Sequence, residues 1–320
     1  MSSQRVHASE QTALVAAPAD VVYGVLADAV RWPLLLPSPV HVERMDFDGV
    51  REQLRLWDMA GERVRSFHVR RELHPRSRTV EFSEEDTARL GAPTTGTWTV
   101  EARGTTESVL TLRQERTLES LPAAESERSR QEWRAEPAER LAQVKTIAER
   151  WERLDELLLS FEDSVYVEGP AELVYDFLYR IEDWPQRVPH VESAEVTEDV
   201  PGVQMAALDS CATPGGGTVG TRSVRLCFPA AERIVYKELV TPELIAAHSG
   251  EWSLVPEGGG VRVVCAQQVM LREEAVEGVL GRGTELVEAR RYVRTWLGRT
   301  SNETLALAKW QAQSTVRRLR

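Results

Sequence analysis

Apolar and polar residues alternate in short runs through the first half of this chain, at 41–47, 50–59, 63–74, 79–84, 95–102 and 108–118. A period of two sends successive side chains to opposite faces, so each run predicts a β-strand with one buried face. Asp48-Gly49, Ala60-Gly61, Pro75-Arg76 and Arg103-Gly104 separate several of the runs. Parallel strands would need crossovers of about a dozen residues, so these short connections predict an antiparallel meander. Residues 10–16 predict one strand ahead of it. Pro18 then opens a short helix with Val21, Val22, Val25 and Leu26 as its buried stripe, because proline fits the first helical turn. Arg31-Trp-Pro-Leu-Leu-Leu-Pro37 suits a single helical turn against an apolar surface. Residues 119–136 are charged and hold no sustained period, which reads as a loop over one end of the sheet. Leu141, Val144, Ala148, Trp151, Leu154 and Leu158 then recur every three or four residues. That stripe predicts a long helix across the concave face of the sheet.

The same order is then spelled out again. Pro18-Ala-Asp-Val-Val-Tyr23, Trp32-Pro33 and Pro37 return as Pro170-Ala-Glu-Leu-Val-Tyr175, Trp184-Pro185 and Pro189, each 152 positions later. Arg71, Pro75, Trp98 and Gln114 return as Arg225, Pro229, Trp252 and Gln268, each 154 positions later, which places a two-residue insertion in between. Residues 161–168 predict the first strand of the second half, 170–180 its first helix and 204–271 its main strand block. Val287, Arg290, Val293, Leu297, Leu305 and Ala308 mark a closing helix, with Thr300 and Asn302 near the same line. A solenoid repeats every 20 to 50 residues or so, whereas this period is that of a whole domain duplicated in tandem. The expected domains are 1–158 and 159–320. Each is α+β, a curved antiparallel sheet wrapped around a long C-terminal helix.

Charge and composition remove several functions. The net charge of −11 opposes nucleic acid as a partner, since phosphate binding needs a basic face, and disfavours an anionic membrane surface. Cys211, Cys227 and Cys265 show no CxxC spacing, so they read as buried small hydrophobes and not as a disulfide framework or a metal site. No run of about 18 apolar residues occurs, and the start at Met1 has no apolar signal core, so a cytoplasmic protein is expected.

The element order, Trp-Pro-x-x-x-Pro after the first helix, an arginine four residues before proline on the fourth strand, and a tryptophan on the sixth carry a resemblance. The chain resembles the START-like (helix-grip) aromatase/cyclases of bacterial aromatic, type II polyketide synthases, and its duplication resembles the di-domain members. The resemblance implies a poly-β-ketone presented on the phosphopantetheine of an acyl carrier protein, other synthase subunits as partners, and no further cofactor. It also implies aldol closure of a first ring, loss of water, a chain already ketoreduced, and joining of C7 to C12. The other expectation for such a fold is a hydrophobic-ligand carrier without chemistry.

On its strand Arg71 shares a face with Phe67, Val69 and Leu73. An arginine there is either an internal ion pair or a fixed cation facing a cavity. Arg225 is its repeat mate, and the resemblance gives both a catalytic role, stabilising the charge that develops on a carbonyl oxygen. Trp32, Trp98, Trp184 and Trp252 are either ordinary core or flat pocket walls, with Phe67, Ser223 and Asn302 as further candidate substrate contacts. Asp58 and Asp209 read as solvated strand carboxylates ahead of bases. His248-Ser249 lacks a GxSxG elbow. Pro214-Gly-Gly-Gly-Thr-Val-Gly220 lacks the Lys-Ser/Thr of a phosphate loop and reads as a hairpin turn, and Gly278-Val-Leu-Gly281-Arg-Gly283 lacks the βαβ setting of a dinucleotide site. Pro39 and Val191 stand where the family sometimes has a tyrosine.

Overall fold

The computed structural model describes residues 5–85, 94–118, 123–211 and 217–319. The chain divides into two compact units, Met1–Leu154 and Asp155–Arg320, against the expected division between 158 and 159. The first unit opens with β1 (Arg5–Val15), α1 (Ala19–Ala27) and the single turn α2 (Trp32–Leu35). It continues through β2 (Pro39–Phe47), β3 (Arg51–Ala60), β4 (Arg63–His74), β5 (Thr79–Glu85), β6 (Thr94–Ala102) and β7 (Ser108–Leu118), then α3 (Ala123–Ala148). A short α4 (Trp151–Leu157) leads into the second unit, which repeats the plan. There β8 (Leu158–Val167), α5 (Ala171–Tyr179) and α6 (Trp184–Arg187) precede β9 (Val191–Val200), β10 (Val203–Ser210), β11 (Val219–Phe228), β12 (Arg233–Val240), β13 (Ile245–Glu257) and β14 (Gly260–Leu271). The turn α7 (Val276–Leu280) and the long α8 (Leu286–Leu319) close it.

Each unit is one seven-stranded antiparallel sheet, in the orders β1-β7-β6-β5-β4-β3-β2 and β8-β14-β13-β12-β11-β10-β9. The first strand pairs with the last, so only one end of each hairpin series is left as a far edge. Alternation decides the faces: on β4, Phe67, Val69, Arg71 and Leu73 are buried while His68 and Arg70 are exposed. On α8, Ala289, Val293, Leu297, Ser301, Thr304, Leu305, Ala308 and Ala312 are buried, a helical stripe that covers the sheet.

Several expectations are corrected. The segment expected as a loop at 119–136 is helical from Ala123 onward, within α3. Its alanine, glutamate, arginine and glutamine are strong helix formers, so helix appears there without an apolar period. That helix stops at Ala148, Trp151 is 39% exposed, and Leu158 belongs to β8. Just past its end, the Glu149 carboxylate accepts from the Ala16 amide at 2.9 Å and pairs with Lys145 at 2.8 Å. Val287 is exposed and lies outside the buried stripe of α8. The partner of Gln114 is Gln267, not Gln268: Gly96 faces Gln114, and its mate Gly250 faces Gln267. Both glutamines are buried and Gln268 is exposed, so the last hairpin of the second half is one residue shorter. Of the glycine-rich segment expected as a hairpin turn, 214–216 lie outside the described residues.

Candidate active site

A helix ends with four backbone carbonyls that have no partner within it. In α1 the last helical bond ends at Gly24 O, and the Val25, Leu26 and Ala27 carbonyls meet side-chain donors instead. The Asp28 amide takes Gly24 O at 3.1 Å. Trp32 Nε1 takes Val25 O at 2.8 Å, and the Arg71 guanidinium takes Leu26 O at 2.9 Å and Ala27 O at 2.8 Å. The second half repeats the scheme. The Arg180 amide donates to Asp176 O, Trp184 Nε1 to Phe177 O, and Arg225 to both Leu178 O and Tyr179 O. A cation at the negative end of a helix dipole adds to these bonds. The Trp-Pro segment and the strand arginine are therefore first a device that docks the helix end onto the sheet, and the guanidinium of Arg71 also lies over the Trp32 ring at 5.0 Å.

The partners that complete this device differ. Glu52 sits opposite Arg71 in the strand register, is 2% exposed, and holds Arg71 Nε at 2.8 Å and Arg44 Nε at 2.9 Å. Burial pulls the Arg71 guanidinium down to about 10, with Glu52 opposing. Opposite Arg225 stands Gln204, whose Oε1 accepts at 2.5 Å and whose Nε2 donates to Glu198 at 3.0 Å. Burial lowers Arg225 as well. The hydrogen bond to Glu198, helped by burial, raises the Tyr179 phenol to about 12.

The cavity of the first half, about 100 Å³, is lined by Trp32, Leu56, Phe67, Val69, Phe82 and Trp98, with Arg71 in its wall. Two of its carboxylates face arginines: Asp58 lies 3.2 Å from Arg65, and Glu84 lies 2.8 Å from Arg140. Burial holds the Asp58 carboxyl above its ordinary value, Arg65 opposing.

The cavity of the second half, about 160 Å³, has Trp184, Trp252, Trp296, Leu208 and Ile245 as apolar walls and Arg225 beside them. Ser210, Thr221, Ser223, Thr300, Ser301 and Thr304 supply hydroxyls, and His190, Tyr236, Glu238, His248, Cys265 and Gln267 also line it. His248 Nδ1 is 3.1 Å from Glu238, and His190 Nδ1 is 3.0 Å from Glu303. Burial pulls His190 down, Glu303 opposing, and pushes the Tyr236 phenol well up. Gly250 permits this arrangement, since a Cβ there would meet the Tyr236 hydroxyl and would lie 2.7 Å from Ala266 O. Flat walls, hydroxyls, imidazoles and a buried cation together can confine a planar chain and move protons.

Arg71, Trp32, Phe67 and Trp98 thus meet at one cavity, and Arg225, Trp184, Ser223 and Trp252 at the other. Asn302 is a correction: it is exposed and donates to Gly298 O at 2.7 Å, turned one helical step away from Ser301, which does line the cavity. Asp58 is no solvated carboxylate, whereas Asp209 is exposed and accepts from Ser193 at 2.7 Å. Sequence reasoning missed Glu52 and Gln204, although they repeat at the same offset of 152. It also missed His248–Glu238, whose members lie on different strands and share no motif. Among the described residues, no three His, Cys, Asp or Glu are grouped to hold a metal ion, and no helix is long and apolar enough to cross a membrane.

Residues 167–290 match the family model described as "Polyketide cyclase / dehydrase and lipid transport". The granaticin polyketide synthase bifunctional cyclase/dehydratase of Streptomyces violaceoruber is 31% identical, over 98% of this chain and 96% of that protein. The actinorhodin counterpart of Streptomyces coelicolor is 33% identical, over 95% of this chain and 96% of that protein. The di-domain ARO/CYC BexL from the BE-7585A biosynthetic pathway superposes with a TM-score of 0.84 and 34% identity, covering 96% of this chain and 98% of its own. Two START-like halves, each with a helix end docked by tryptophan and arginine over a lined cavity, and similarity along nearly the whole length place this chain in the family of type II polyketide synthase bifunctional cyclase/dehydratases, the di-domain aromatase/cyclases.

Proposed function

We propose that the chain works beside the other subunits of a type II polyketide synthase, taking a ketoreduced poly-β-ketone from the phosphopantetheine of an acyl carrier protein and joining C7 to C12. No further cofactor enters this scheme. The observation that supports it is the neutral partner of Arg225: a buried cation in the wall of an aromatic-lined cavity, faced by the amide of Gln204 where the first half has the carboxylate of Glu52.

Ring closure carries an electron pair from an enolate carbon to a carbonyl carbon and leaves negative charge on that carbonyl oxygen. A preorganised positive charge in a water-poor site lowers the barrier to that transfer. The N–H groups of Arg225 named above are held by the helix end and Gln204, so it acts as a fixed charge rather than by donating a hydrogen bond to the substrate. Trp184 and Trp252 confine the chain so that one methylene lies near one carbonyl, an advantage worth up to about 7–11 kcal/mol when fully realised. Arg71 anchors its helix in the same way, but its charge is met by Glu52, so the charge-developing step falls to the second half.

The test is coexpression of the full chain with a ketosynthase pair, carrier protein and ketoreductase, with ring positions read by NMR from isotope-labelled acetate. The expected product carries a C7–C12 aromatic ring. Gln204→Glu, which copies the first half, lowers flux through ring closure about tenfold, equivalent to about 1.4 kcal/mol, while the unfolding midpoint holds or rises. A different ring pattern, or unchanged flux in the variant, counts against the reading.

A further inference from the structure

The second cavity contains a histidine–carboxylate pair that neither substrate folding nor the arginine accounts for. His248 on β13 is 4% exposed. Its Nδ1 lies 3.1 Å from Glu238 Oε1 on β12, and its Nε2 lies 3.2 Å from Gln267 Oε1 on β14. Its ring meets that of Tyr236 edge-on, with centroids 5.5 Å apart. All four side chains line the cavity shared with Arg225, Trp184 and Trp252.

Such a cluster could serve merely to tie three strands together, yet the duplicate sheet forms without it. Glu238 repeats Glu84 at the 154 offset, and His248 falls at the place of Thr94, the residue opposite Glu84. Glu84 pairs instead with Arg140 of the covering helix, at 2.8 Å. The same fold thus needs no imidazole at this position, and the histidine is an addition to the second cavity.

We propose that His248 is the acid–base catalyst of the dehydration, with Glu238 as its positioning residue. The inference rests on the preceding reading only in taking the second cavity as the place of reaction. Aldol closure leaves a hydroxyl on the new ring carbon, next to a methylene made acidic by a carbonyl. With the imidazole proton on Nδ1, the nitrogen beside Glu238, the Nε2 lone pair takes a proton from that methylene. The released electron pair forms the C=C bond, the neighbouring C–O bond breaks, and the same proton passes from Nε2 to the departing oxygen. One water leaves and the enzyme returns to its starting state. Gln267 Oε1, which lies beside Nε2, can share the proton that Nε2 holds between the two transfers. Glu238 fixes the ring orientation and stabilises the imidazolium between the two transfers. Tyr236, whose phenol burial holds in the neutral form, stays a hydrogen-bond donor beside them.

The full chain, coexpressed with the same synthase subunits, tests this through one ratio read by mass spectrometry: dehydrated product to ring-closed product still carrying the water. The ratio does not depend on how much folded enzyme is present. His248→Gln is expected to lower it about a hundredfold. Glu238→Gln, which keeps shape and removes the carboxylate, lowers the ratio about tenfold, through kcat with KM held. An unchanged ratio in folded His248→Gln overturns the assignment; if that variant does not fold, an unchanged ratio in Glu238→Gln does so. A wild-type chain that closes and dehydrates the ring, with both variants matching it, removes His248 alone. A wild-type chain that closes no ring overturns the proposed function, and this assignment with it.

Discussion

Where the first half sets Glu52 against Arg71, the second sets Gln204 against Arg225. Where the first seals Asp58 with Arg65 and Glu84 with Arg140, the second has Ser210 and Val219 at the equivalent pair and leaves Glu238 to His248. Phe67, Val69 and Phe82 of one cavity correspond to Thr221, Ser223 and Tyr236 of the other. What stays the same between the halves is the helix-end device and the tryptophans; what differs is the charge and polarity of the lining. A device that satisfies backbone carbonyls is needed wherever the fold is built, whereas the lining is free to vary with chemistry. The first cavity reads as a chiefly apolar chamber whose carboxylates face arginines, and the second as the one equipped to move protons.

The largest test of this contrast is Arg71→Met. It strips the Leu26 and Ala27 carbonyls of their donors and leaves Glu52 buried with Arg44 alone, so urea unfolding should show a loss of about 3–5 kcal/mol. A loss under about 1 kcal/mol would mean that Arg44 suffices for Glu52 and that the device is not structural.

Gly96→Ala and Gly250→Ala probe the rings that pack over these glycines. At Gly96 a Cβ would lie 2.5 Å from the Phe82 ring and 2.7 Å from Arg113 O, and Gly250 meets Tyr236 and Ala266 O likewise. Each should cost about 1–3 kcal/mol, measured by thermal melting. Only Gly250→Ala should also lower the dehydration ratio, because only there does the displaced ring stand beside His248. Equal effects of both variants on that ratio would erase the distinction between the cavities.

The smallest effect concerns Asp58. Burial outweighs the attraction of Arg65 and raises its carboxyl above the ordinary value, so ionised Asp58 costs the folded state stability. The cost is absent below the unfolded carboxylate pKa of about 4 and complete once pH passes the raised folded value. Asp58→Asn should therefore stabilise at neutral pH by up to about 1 kcal/mol, a gain that fades as pH falls from the raised folded value toward about 4. A gain that instead grew toward acid would reverse the sign of the shift.

Much of this was legible beforehand. The strands at 41–118 and the Trp-Pro turns follow from local alternation and proline placement, and the repeat offsets located both arginines. The helix at 123–136 is not legible in the sequence, because it carries no apolar stripe to announce it. Gln268 was paired with Gln114 because an offset cannot see a one-residue change in a hairpin, and such a change turns a strand's side chains to the opposite face. Asn302 was placed near the cavity by proximity in sequence, whereas one residue on a helix is a turn of about 100°.

The sequence by itself determined that the chain is one α+β plan written twice, with arginines, tryptophans and a closing helix at matching places, since periodicity and offset are properties of neighbours along the chain. Only the tertiary structure decided what those groups meet: carbonyls of a helix end rather than open space, a carboxylate in one half and an amide in the other, and a histidine brought against a glutamate from the adjacent strand. Cross-strand partners are set by register and packing, and no pattern within a single segment encodes them.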